Sequence, residues 1–285
     1  MIPPLRAIFA AAAAVVAIAA VLAAVPAAGA SACTAPVGGA CGAYVWAGWR
    51  GSNGYNTYVA DQAVDVQPGS AGSITVSNPS NWSAVSRYTS CGGCVQTYTS
   101  VQQLTNNWGN GGWNGGSDTP LAALRELWIT YRESSPASDP ADQYEFSPDI
   151  WTNYAGHLCG GCGDVMMWAD TSAQRCAAVH GWTVLGHPVL LGQDWTVYLG
   201  PSGAGDEIIF ILDGTGGPGT CARQNAGTFH VWAALRWLSA HPGPSGFPAF
   251  TALTMSQLNT GWEITAGDGA GYRVFGLHYG TVVKS

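Results

Sequence analysis

Apolar and polar residues alternate along this chain in short runs separated by turn signals, the pattern of half-buried strands. It predicts strands over 43–49, 56–66, 73–76, 124–131, 164–168, 181–184, 188–191, 195–199, 207–212, 251–258 and 272–279. Clusters such as Asn78-Pro79-Ser80-Asn81 and the glycine-rich 214–219 punctuate them. The glycine-rich 104–118 and the Ser-, Pro- and Asp-rich 134–148 read as long loops. One helix stands out over 228–240, where Phe229, Trp232, Leu235 and Leu238 recur at helical spacing and Pro242-Gly243 end it. A lone helix between late strands is expected to pack against the back of a sheet. Many strands at short spacing imply an all-β sandwich or jelly roll, with no second domain and no repeat.

Two acids interrupt this pattern. One lies in Gly163-Asp164-Val165-Met166-Met167-Trp168, the other in Gly261-Trp262-Glu263-Ile264-Thr265. Charged residues make up only 9% of the chain, so an acid in an apolar strand needs a reason. Alternation puts Asp164, Met166 and Trp168 on one face and Val165 and Met167 on the other. An acid, a thioether and an indole on one sheet face suit the floor of a sugar-binding cleft. A solvated sheet-edge acid is the plainer alternative.

Composition narrows the partners. Met1 to Arg6 carry one positive charge, an Ala- and Val-rich run follows to Val25, and Ala30-Ser31-Ala32 supplies small residues for cleavage. Residues 1–32 are therefore expected to be a secretory signal and 33–285 one secreted domain. A retained anchor and a lipid-modified Cys33 are the alternatives; stable membrane insertion is not expected. The mature part, about 250 residues, suffices for one large β domain. Net charge is −7 with a single lysine, Lys284, which argues against nucleic acid and anionic membranes. Neutral polysaccharide fits better, because it needs aromatic platforms and hydrogen-bonding groups, and the chain has 13 Trp and 11 Tyr. The same residues also serve any β-sandwich core.

Eight cysteines in an exported chain read as disulfides. The pairing favoured is Cys33–Cys41, Cys91–Cys94, Cys159–Cys162 and Cys176–Cys221. The twin Cys-Gly-Gly-Cys units could instead hold structural zinc, but their spacing is not that of a compact zinc ribbon. No metal and no cofactor are expected. No Gly-x-Ser-x-Gly elbow and no phosphate-binding glycine loop before a helix is present.

Linked pieces over roughly residues 41 to 280 resemble glycoside hydrolase family 12, secreted endoglucanases and xyloglucanases. Asp149-Ile150-Trp151-Thr152-Asn153 is similar to the family's Tyr-Asp-Ile-Trp stretch. The Asp164 strand resembles its nucleophile strand, Glu-Ile-Met-Ile-Trp. Gly192-Gln193-Asp194-Trp195-Thr196-Val197-Tyr198-Leu199-Gly200 resembles its Gly-x-x-Trp-x-Val-Trp-x-Gly hairpin, and the helix falls where the family has its one helix. Ser256-Gln257-Leu258-Asn259-Thr260-Gly261-Trp262-Glu263 resembles Ser-x-Gln-x-Gly-x-Glu, the acid/base strand. The resemblance implies a concanavalin-like jelly-roll β-sandwich with one packed helix, an open glucan cleft and a retaining mechanism. It implies Asp164 at the nucleophile position and Glu263 as acid/base. Asp149, beside the nucleophile, and Met166 and Trp168, on the cleft floor, would bind substrate.

Three departures stand out. Asp164 replaces Glu, Ile264 replaces the Pro after the acid/base, and Tyr44-Val-Trp-Ala-Gly-Trp49 replaces an Asn-Asn-x-Trp-Gly strand, leaving Trp49 or Trp46 as a sugar platform. The expected function is a secreted, monomeric endo-β-1,4-glucanase of cellulase type, acting in polysaccharide catabolism on a β-glucan such as cellulose or xyloglucan. A non-hydrolytic polysaccharide-binding protein on the same fold and a disulfide-rich structural protein are the alternatives. The last predicts no convergent carboxylates.

Overall fold

A computed structural model describes residues 33–36, 49–50, 56–63, 71–78, 80–88, 97–104, 119–137, 140–154, 157–158, 164–201 and 207–283. The expected signal segment, the 105–118 loop and the two Cys-Gly-Gly-Cys units lie outside them. The strands are β1 (Cys33–Pro36), β2 (Trp49–Arg50), β3 (Asn56–Ala63), β4 (Ala71–Asn78), β5 (Asn81–Tyr88), β6 (Thr97–Leu104) and β7 (Thr119–Pro120). After them come β8 (Leu124–Ser134), β9 (Gln143–Tyr154), β10 (His157–Leu158), β11 (Asp164–Trp168) and β12 (Asp170–Thr171). A short helix, α1 (Ala173–Val179), precedes β13 (Thr183–Gly186), β14 (Val189–Leu190), β15 (Gln193–Leu199), β16 (Ile208–Gly214), β17 (Gly217–Cys221) and β18 (Ala226–Phe229). The helix α2 (Val231–Ala240) and the long strand β19 (Leu253–Val283) complete the described chain.

These strands build a jelly-roll β-sandwich. One layer runs β2–β3–β6–β19–β9–β11–β16–β15–β13, and the other runs β1–β4–β5–β19–β8–β18. The strand β19 belongs to both. Its first half lies between β6 and β9, its second between β5 and β8, so it carries the chain from one layer to the other. The sequence pattern predicts two strands here, 251–258 and 272–279. Pairing on both flanks zips them into one, through Gly261, Gly267, Gly269 and Gly271.

The core lies between the layers. Tyr144, Phe146 and Ile150 of β9, Val165 and Met167 of β11, and Leu258, Trp262 and Ile264 of β19 point into it. They meet Trp82 and Ala84 of β5 and Leu127, Ile129 and Tyr131 of β8. Trp262 contacts Trp82 edge-on at 5.1 Å between ring centroids. Along β19 the inward residues switch from Tyr272 and Val274 to Leu277 and Tyr279. A register shift between Val274 and Gly276 causes the change of parity, because one extra residue turns every later side chain to the other face.

Three expectations change. The stretch 134–148 is not one long loop: its last part, from Gln143, enters β9, a central strand flanked by β11 and β19. The helix is not alone among the described residues, since α1 joins it. Phe229 is the last residue of β18 rather than part of α2, which buries Val231, Ala234, Leu235 and Leu238. As expected, α2 packs on a sheet: Trp232 donates its indole N–H to the Leu124 carbonyl at the start of β8.

Candidate active site

The same alternation that fills the core turns a second set of side chains away from it. On β9 these are Glu145, Ser147, Asp149 and Trp151; on β11, Asp164, Met166 and Trp168; on β19, Asn259, Gly261 and Glu263. Register decides the neighbours. Asp149 lies between Met166 and Asn259, Glu145 lies directly opposite Glu263, and Asp164 lies opposite Trp151. Gly261 is needed in this row. A Cβ there would come within 1.9 Å of the Thr99 carbonyl oxygen of β6, so any side chain would push the Glu263 strand off its neighbour.

Asp164 and Glu263 lie within electrostatic range of one another and of three further acids: Glu145, Asp149 and Glu207, the last just ahead of β16. The Asp149 and Asp164 carboxyls act on one another, and the charge of Glu263 acts on both. Burial, reinforced by Glu263, pushes the Asp149 carboxyl up to about 7. Burial and then the charge of Asp149 hold Asp164 well above the usual carboxylate range. Glu207 is raised to about 7 by burial and by Glu263, with Arg175 opposing.

Among the described residues, one cation answers this charge. Arg175 of α1 donates from Nε to Glu145 Oε2 at 2.6 Å, and from Nη2 to Glu145 Oε1 at 3.1 Å and Glu263 Oε2 at 2.8 Å. Its guanidinium lies over the Trp168 ring, 4.9 Å from the centroid. Burial works against the charge of Arg175, but Glu145 and Glu263 more than offset it. Glu145 is 0% exposed, while the Glu263 side chain keeps 17% of its surface open. Glu263 is thus the partner that another molecule can reach.

The helix that carries Arg175 is fixed from both ends. Ser172 stands at its N-cap, yet its hydroxyl accepts the Tyr144 backbone N–H of β9 instead of capping the helix. Cys176, the residue after Arg175, is disulfide-bonded to Cys221 of β17, as the cysteine pattern predicts. Val179 packs with Met166, Trp168, Tyr198, Ile209 and Ile211 in a small apolar cluster outside the main core. Met166 and Trp168 are each 1% exposed. They lie on the expected face, but under α1 and Arg175, so a molecule above Trp168 would meet the guanidinium first.

Trp49 sits in the edge strand β2, opposite Thr57; its side chain is outside the described residues. Sequence reasoning missed Glu145, Glu207 and Arg175. Glu145 fell in the expected loop. Two other signals were available: an arginine one residue before a bridging cysteine, and the Glu145–Asp149 spacing, which shares a face once 143–154 is a strand. Among the described residues no set of three or more His, Cys, Asp or Glu side chains is spaced to hold a metal ion.

No family model matches the sequence, and no curated protein matches it significantly. Solved structures do match the fold. A metagenome-derived family 12 endoglucanase superposes with a TM-score of 0.66 at 15% identity, covering 89% of this chain and 99% of its own. The family 12 xyloglucanase of Bacillus licheniformis, in complex with a ligand, gives 0.61 at 16% identity over 90% of this chain and 100% of its own. Endoglucanase 3 of Trichoderma harzianum gives 0.60 at 19% identity over 82% and 94%. The chain has the fold of the family 12 glycoside hydrolases.

Proposed function

We propose that this chain is a secreted endo-β-1,4-glucanase that hydrolyses a β-glucan such as cellulose or xyloglucan. The observation that carries the reading is the meeting of Asp164 and Glu263 on one face of a family 12 fold, where their charges interact. In the proposed reaction Asp164 attacks the anomeric carbon while Glu263 gives its proton to the departing glycosidic oxygen. A covalent glycosyl–Asp164 ester results. Glu263 then takes a proton from water, the water oxygen bonds to the anomeric carbon, and Asp164 leaves as a carboxylate. Asp149 tunes the nucleophile through its charge, Met166 and Trp168 support the floor, and Trp49 offers a sugar platform. The xyloglucanase and endoglucanase activities named for the structural neighbours support a β-glucan as substrate. A structural role with no sugar ligand gives these acids no reason to converge.

The chain is expected to release reducing ends from soluble β-glucan, and Glu263→Gln to abolish that release. No turnover at high enzyme loading refutes the reading. One observation favours a second reading. Asp164 is one methylene shorter than Glu and is held toward its neutral form, which is not nucleophilic. A glucan-binding protein without hydrolysis would bind oligosaccharide in both the parent and Glu263→Gln, and the parent would release no reducing ends.

A further inference from the structure

We infer that Arg175 is a positioning residue for Glu263, with Glu145 as its anchor; the inference rests on reading Glu263 as the acid/base. The β9–β19 register sets Glu145 directly opposite Glu263, and like charges so placed repel. Arg175 turns that conflict into a clamp. Its two bonds to Glu145 form a bidentate fork on a fully buried carboxylate, and they would suffice to neutralise it. The third bond, from Nη2 to Glu263 Oε2, adds nothing to the burial of Glu145. It fixes the orientation of Glu263, the more open of the two carboxylates that Arg175 holds.

The clamp is stiff. The guanidinium rests on the buried Trp168 ring. The Cys176–Cys221 bridge holds the next residue, and the Ser172 hydroxyl holds the helix start to β9. The contact also has a chemical cost: Oε2 of Glu263 is engaged, so proton delivery falls to Oε1 or to a moment when the Nη2 bond opens. Glu263 is faced by Glu145 and Asp149 of β9, Asp164 of β11, Glu207 ahead of β16, Tyr98 of β6 and Arg175 of α1. Arg175 is the only cation in that set, so its loss moves the proton affinity of Glu263 in one direction, upward.

The test is a carboxyl-13C NMR titration of Glu263. The chain has five glutamates, so Glu→Gln variants assign every signal. Arg175→Gln is expected to raise the Glu263 midpoint by about one unit or more, and Arg175→Lys by less. If Arg175→Gln does not fold, the Glu145→Gln/Arg175→Gln double variant is compared with Glu145→Gln, so that only Arg175 differs, and is expected to show an upward shift relative to that single variant. On soluble β-glucan, Arg175→Gln is expected to lower kcat by about 10–100-fold with little change in KM. The pH limb governed by Glu263 should move with the NMR midpoint, and Arg175→Lys should recover part of the rate. A folded variant whose Glu263 midpoint matches the parent overturns the inference. A parent with no turnover refutes the glucanase reading instead, and the titration still decides whether Arg175 governs Glu263.

Discussion

Lengthening the nucleophile is the most direct perturbation of this site. Asp164 is the first residue of β11 and feels the charge of Asp149. Asp164→Glu advances the carboxylate by ~1–1.5 Å, one methylene step. Retaining pairs stand ~5–5.5 Å apart and inverting pairs ~6.5–9.5 Å, so that step is enough to move a pair between classes. A misplacement of about 1 Å can cost on the order of 100-fold in rate, so the variant should gain up to that factor if reach alone limits the parent. Room is limited, because Met166 and Asp149 are 1% and 9% exposed. The added methylene should therefore destabilise the fold by about 1–3 kcal/mol. Initial rates of reducing-end release measure the gain, and NMR of the first anomer formed gives the stereochemistry. A folded Asp164→Glu chain with an unchanged or lower rate refutes the reach argument and shifts the balance toward binding without hydrolysis.

Two stability predictions follow from the same geometry. The Cys176–Cys221 bridge joins residues 45 apart in sequence. Loop entropy makes a bridge of that span worth about 4 kcal/mol, so Cys176→Ser/Cys221→Ser should lower Tm by on the order of 10 °C in calorimetry; a change under about 2 °C would contradict this. Burial raises Glu133 to about 8, helped by the charge of Asp170, and raises Asp149 and Glu207 to about 7. Unfolded carboxylates titrate near 4, so between about pH 4 and 8 the folded chain keeps protons that the unfolded chain has released, and stability falls as pH rises. Tm should drop across that window and drop less in Glu133→Gln; a Tm that climbs from about pH 5 to pH 8 would contradict the assignment.

Local pattern and long-range pairing contributed differently to what could be read in advance. The strand β11 has its predicted bounds, and its two faces divide as alternation requires, because period 2 is a property of the strand itself. The C-terminal part of α2 is likewise visible in its helical spacing. The strand β9 was hidden by its Ser, Pro and Asp content. Hydrogen bonding to β11 and β19 on both flanks overrides that weak local preference and even admits Pro148. The sequence by itself determined that Asp164 and Glu263 lie on strands, and that Asp164 shares a face with Met166 and Trp168. Only the tertiary structure decided which acids become neighbours: Arg175 reaches Glu145 across 30 residues and Glu263 across 88. The physical reason is that a strand's own period sets which way a side chain faces, while strand order and register set what it faces.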